Sequence, residues 1–242
     1  KASNSTERPK WLLLMGDGTF DNRKLLPTSG PNTLLTYQTA NSTVETKALA
    51  TDDYFGWLLN KDGLSDENAT MQIGVGRLPV STQEEADKMV DKIIRYMTSD
   101  NFGTWKQQVL FLADDGDNGM HTETAEAGAE RVRINNPNLI VNKVYLDAYP
   151  QEVNAAGETY PLAKNRVDNL LRSGVLYMNY SGHGAYNNIT NEGMMSLHDV
   201  QRMNNQNLAF WMYATCSFAH FDSGKRSTAE EAVLNPNGGA IG

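Results

Sequence analysis

A histidine held between two glycines and the chain's single cysteine are the residues whose types and settings best fit covalent chemistry. His183 closes the run VLYMNYSGHG, and Cys216 closes the run LAFWMYATC. A thiolate attacks a carbonyl carbon once an adjacent imidazole has taken its proton, so the pair supplies a nucleophile and a base. A free cysteine alone is most often core filler. Here, however, the sulfur follows an apolar run directly and precedes the polar turn SFAHFDSGKRS, which puts it at a strand end near solvent. Glycines on both sides of His183 let the backbone approach a bound substrate closely. The Gly184 and Cys216 N–H groups, at strand ends where no ladder partner is guaranteed, are candidate donors to an oxyanion.

Both runs are short and rich in Val, Leu, Tyr, Phe and Trp, so they read as strands buried on both faces of a parallel sheet. Ligands of such sheets sit beyond the carboxyl ends of the strands. Upstream, the pattern gives a strand at WLLLM, a Gly/Asp turn at GDGTFDNR, two short strands between Leu34 and Thr51 with a turn near Asn41, and a strand in MQIGVGRLPV. Ser81 or Thr82 then caps a helix that runs to about Met97, with Met89, Ile93, Ile94 and Met97 on one face. Downstream come strand 109–113, helix His121 to Arg133, strand LIVNKVYL and helix Pro161 to Arg172. The two chemistry-bearing strands follow, separated by a long loop with a short helix near Ser196 to Met203, and then a helix from Ala229 to Leu234. Strand and helix alternating in this way predict an α/β fold with a mostly parallel sheet. TSDNFGTW reads as a boundary, dividing the chain into residues 1–105 and 106–242. The strand pattern at Ala240 and Ile241 is cut short, as in a fragment of a longer protein.

The chain has 242 residues, 40% of them apolar, and a formal net charge of -8. That is enough apolar sequence for a sizeable core, and the negative balance without a Lys/Arg run excludes nucleic acid and anionic membrane as main partners. No apolar stretch has the ~20 residues of a membrane span. One cysteine excludes an internal disulfide and a cysteine-rich zinc site.

Other residues weigh less. His121 opens a helix and reads as a surface residue, as does His198. His220 lies four positions after Cys216, but the Gly, Asp and Ser that follow oppose the helix a metal pair would need. Trp57, Trp105 and Trp211 read as packing. The acidic stretch LADDGDNGMH has the composition of a turn, and of a loop that could hold Ca²⁺. GDGTFD and ATDDYF are equivalent candidates for that ion.

An apolar block ending in His-Gly, followed 33 positions later by one ending in Cys, resembles the caspase-related cysteine peptidases. Within them, NYSGHGA and FWMYATCSFAHFD are similar to the histidine and cysteine motifs of the gingipain family. LLLMGDGTFD, ATDDYFGWL, IGVGRLPVST and AEEAVLNPNGGAIG look like the branch that serves as signal peptidase, or sortase, of type IX secretion. The resemblance implies a caspase-like three-layer sandwich with two subdomains, the first partial. It assigns Cys216 as nucleophile and His183 as base. The family's third, acidic residue corresponds best to Asp115, with Asp114 as rival. The carboxylate of the family's substrate pocket falls in the stretch holding Asp117 and Glu123. The resemblance also implies structural calcium, a protein or peptide substrate, other secretion-system proteins as partners, and export to the cell surface, outer membrane or medium. The alternative is a module of this fold that binds protein without cleaving it.

Overall fold

The computed structural model describes residues 9–38, 50–59, 70–155 and 157–242. They form two compact units, residues 1–86 with 221–225, and residues 87–220 with 226–242.

The first unit holds two parallel strands, β1 (Trp11–Met15) and β4 (Gly74–Leu78), and an antiparallel pair, β2 (Tyr37–Gln38) and β3 (Ala50–Thr51). The turn expected near Asn41 lies outside the described residues. Arg77, in β4, organises this unit. Its guanidinium forks onto Asp52 at 2.6 and 2.8 Å and also donates to the carbonyls of Gly16, Leu34 and Leu35. A buried planar fork of five donors suits that many converging acceptors.

Helix α1 (Gln83–Thr98) begins as expected: the Thr82 hydroxyl accepts the Glu85 N–H, and the Glu85 carboxylate accepts the Ser81 N–H. The division between units falls within this helix, after Ala86. Its buried positions are Met89 and Lys92, whereas Ile94 and Met97 are exposed. The apolar face expected of α1 is thus only partly covered. Buried Lys92 instead donates from Nζ to the carbonyls of Ala232, Val233 and Gly238.

The second unit is built on a four-stranded, fully parallel sheet in the order β13, β9, β5, β6, formed by Phe210–Ala214, Tyr177–Ser181, Gln108–Ala113 and Ile140–Tyr145. Successive side chains alternate between the two faces. Leu110, Leu112, Val144, Met178, Tyr180 and Trp211 enter the larger core, together with Ala163 and Val167 of α3 (Pro161–Ser173), Val200 of α4 (Leu197–Gln201) and Ala232 of α5 (Thr228–Leu234). Val109 and Phe111 face the other way, against Ala129 of α2 (Met120–Asn135). The result is three layers, helix on sheet on helix. Capping boxes at Ser196 and Ser227 start α4 and α5, and Pro161 starts α3.

Two features were not expected. A hairpin, β7 (Glu152–Asn154) with β8 (Gly157–Thr159), precedes α3, and the loop after β9 folds into a small antiparallel sheet of β10 (Gly184–Ala185), β11 (Asn188–Ile189) and β12 (Met195–Ser196). The closing GGAIG contributes a single bridge from Ala240 to Ala209 rather than a strand.

Candidate active site

His183 and Cys216 leave the sheet side by side. Ser181 of β9 and Ala214 of β13 are register partners; His183 lies two positions beyond the first and Cys216 two positions beyond the second. The Gly182 N–H donates to the Ala214 carbonyl at 3.2 Å, carrying the pairing one step further. Adjacent strands run ~4.8 Å apart. The two segments remain close past the sheet, because a Cβ on Gly184 would overlap the Thr215 hydroxyl. Cys216 is exposed and its thiol is free.

The backbone of His183 is held at every polar atom. Its N–H donates to Asp114 Oδ2 at 3.0 Å, and its carbonyl accepts from the Tyr180 hydroxyl at 2.6 Å and the Thr190 N–H at 3.1 Å. Antiparallel ladders alternate bonded and non-bonded pairs. The bond between Thr190 and His183 therefore leaves the next residue, Gly184, with its N–H directed away from β11. The Cys216 N–H likewise donates to no backbone carbonyl among the described residues.

The imidazole is held by Asp117. His183 Nε2 lies 2.8 Å from Asp117 Oδ2, and His121 Nε2 lies 3.0 Å from the same oxygen. Gly116, Asp117, Asn118 and Gly119 are four successive residues with positive φ, at 76, 43, 55 and 78°. That conformation costs an Asp roughly 1–2 kcal/mol. It turns the loop between β5 and α2 so that the carboxylate reaches both rings. The hydrogen bond from His183, then that from His121, keeps the Asp117 carboxyl below the ordinary carboxylate range.

The other acidic residues expected at the site are placed differently. Asp115 accepts a hydrogen bond from the Tyr160 hydroxyl at 2.8 Å, so the carboxylate on the His183 ring is Asp117 and neither Asp115 nor Asp114. Asp114 is buried and acts on the His183 backbone. Asp117, expected in a substrate pocket, is engaged by two imidazoles, and Glu123 is exposed in the first turn of α2. His121 was expected at the surface, yet its side chain keeps only 13% of its exposure. The four-residue spacing of Asp117 and His121 was no guide to that pair, because Asp117 lies before α2 with a positive φ. No sequence signal pointed to Tyr160, Tyr180 or Glu192. No helix begins at Cys216, so His220 does not share a helical face with it.

Asp114, Asp115 and Glu192 bring carboxylate oxygens within 4.8 Å of one another. Burial, with smaller help from the neighbouring carboxylates, holds Asp114 and Glu192 above their ordinary range, and Glu192 Oε2 is buried without a hydrogen-bond partner among the described residues. In GDGTFD and ATDDYF, by contrast, carboxylates are engaged internally: Asp17 with Ser81, Asp21 with Ser29 and Asp52 with Arg77.

The sequence profile of Peptidase family C25 matches residues 1–242. The chain belongs to this family. Family C25 includes the gingipains, and two solved structures place this chain's fold with them. One is the Arg-specific cysteine proteinase gingipain R, at 17% identity and a TM-score of 0.66, covering 99% of this chain and 49% of that one. The other is the complex of the pro- and mature domains of Porphyromonas gingivalis RgpB, at 17% identity and 0.67, covering 99% and 50%. The chain thus spans about half the length of its C25 structural relatives. No curated protein sequence matches it detectably. The α/β architecture with a mostly parallel sheet is that of the gingipains. Among the described residues, no helix is long and apolar enough to cross a membrane.

Proposed function

We propose that this C25 domain cleaves peptide bonds through a Cys216 acyl-thioester, with His183 as its base and Asp117 as the acid that orients the base. The observation that carries this reading is the contact between His183 Nε2 and Asp117 Oδ2. A neutral imidazole carries one N–H. With Nε2–H donated to the carboxylate, Nδ1 is the unprotonated nitrogen available to the thiol. Nδ1 takes the Cys216 proton, and the sulfur bonds to the substrate carbonyl carbon. Gly184 and Cys216 amides receive the oxyanion. Collapse breaks the C–N bond as the imidazolium returns its proton to the leaving amine, and an acceptor then releases the acyl group. Asp117 stabilises the imidazolium while it exists.

Water as acceptor gives hydrolysis, and an amine gives transpeptidation. The blocks shared with the type IX secretion branch support a role as signal peptidase or sortase on exported proteins at the cell surface, with other secretion-system proteins as partners. Asp114, Asp115 and Glu192 fit Ca²⁺, a hard cation that takes carboxylate oxygens. Bound there, it would neutralise the cluster that secures the His183 backbone, a structural and not a chemical contribution.

The test is a thiol-reactive peptide probe with mass spectrometry of the labelled residue. Labelling at Cys216, lost in Cys216→Ala and slowed in His183→Ala, supports the dyad. A probe that reacts equally with wild type and His183→Ala would leave a binding module with an ordinary thiol.

A further inference from the structure

We propose that Asp117, His121 and His183 form a zinc site that shuts off the peptidase by capturing its base. One ligand atom from each, two imidazole nitrogens and a carboxylate oxygen, lies within 4.8 Å of the others. Asp117 Oδ2 is 2.8 and 3.0 Å from the two Nε2 atoms, and the rings meet edge to face with centroids 5.1 Å apart. Zn²⁺ binds imidazole and carboxylate at about 2.0–2.2 Å in a tetrahedron, which spaces ligand atoms roughly 3–3.5 Å apart. Small adjustments of three side chains reach that geometry. Half the surface of the His183 side chain and 45% of that of Asp117 are open, so an ion can enter from solvent and water can fill the fourth position. The ligand types set this cluster apart from its all-carboxylate neighbour, since imidazole suits Zn²⁺ and carboxylates alone suit Ca²⁺.

The consequence for catalysis follows from the tautomer and rests on the peptidase reading above. The resting imidazole donates Nε2–H to Asp117 and leaves Nδ1 free. Zinc needs the Nε2 lone pair, so the ring proton moves to Nδ1, with no net release from a neutral ring. Nδ1 then has no lone pair for the Cys216 proton, and the thiol stays protonated. The inhibition is reversible, because nothing covalent has formed.

The test begins with Cys216→Ala, which removes both the thiolate as a competing ligand and any dependence on activity. Zn²⁺ is titrated calorimetrically into this protein in excess Ca²⁺, alongside Cys216→Ala carrying His121→Asn. One ion per chain, bound at least tenfold more weakly by the His121 variant, is the expected result. Nitrogen-15 spectra of the histidine rings in Cys216→Ala provide a readout that needs no second substitution: two rings switch to the Nδ1–H form on adding zinc. Absence of zinc binding, or binding that leaves both ring tautomers unchanged, overturns the proposal. In wild type, zinc stops peptide cleavage and a zinc-selective chelator restores it. Cleavage by a chain whose Cys216→Ala form binds no zinc would refute the site alone. Zinc binding that passes both tests in a chain that cleaves no peptide would refute the peptidase reading alone.

Discussion

Asp117 Oδ2 and His183 Nε2, 66 positions apart in the chain, meet at 2.8 Å across the carboxyl ends of two neighbouring strands. This contact puts Nε2 on the carboxylate and decides which of three nearby aspartates meets the ring.

Asp117→Asn keeps an acceptor for Nε2–H but removes the charge opposite the imidazolium. Losing the charge that orients the ring and offsets the imidazolium should lower kcat/KM on a peptide substrate at least about tenfold. Asp115→Asn keeps an acceptor for the Tyr160 hydroxyl and removes a charge that does not touch the ring, so it should leave kcat/KM within about twofold. Parallel assays of the two variants check the assignment, and equal losses would refute it.

Gly184→Ala brings a methyl group onto the Thr215 hydroxyl, beside a proposed oxyanion donor. Overpacking of this kind costs about 1–3 kcal/mol, and loss of one oxyanion donor costs on the order of 10²–10³ in kcat. The variant should therefore fold, with a lower melting temperature, and lose kcat more than KM changes. Thr215→Ala in the same chain relieves the overlap and should restore part of both.

Removing calcium should lower thermal stability. If Asp114, Asp115 and Glu192 hold the ion, saturating Ca²⁺ at 100 times its Kd adds about 2.7 kcal/mol, lost on adding a chelator. Glu192→Gln should abolish most of that response while leaving a folded protein. Melting curves with and without Ca²⁺ measure both.

Lys92 gives a pH-dependent stability. Burial, helped by Arg95 and opposed by Glu231, brings its pKa down to about 7. The unfolded chain, at the ordinary lysine value, binds more protons between about pH 7 and 10, so this residue makes stability rise with pH across that window. The three carbonyls it caps favour the ammonium and reduce the rise to an expected few kcal/mol or less. Lys92→Met should flatten this part of the profile in denaturant titrations at several pH values. It should also destabilise the protein by about 1–3 kcal/mol below pH 7, because the carbonyls lose their donor.

The sequence by itself determined the parallel α/β core, the helices and their starts, and the two strand ends carrying His183 and Cys216. These are local properties: short apolar runs, capping residues and glycine turns act within a few positions. Long-range contacts settled the rest. LADDGDNGMH contains three aspartates with equal claim as composition. Only the strand register, which ties Asp114 to the His183 backbone, and the positive-φ turn, which brings Asp117 to the Nε2 atoms of two rings, separate their roles. Likewise, Ile94 and Met97 fit the apolar period of α1 but stay exposed, while Lys92 is buried because three carbonyls converge on it. A residue's type and spacing declare what chemistry it can do. Which partner it meets depends on how distant segments are brought together, and that is a property of packing.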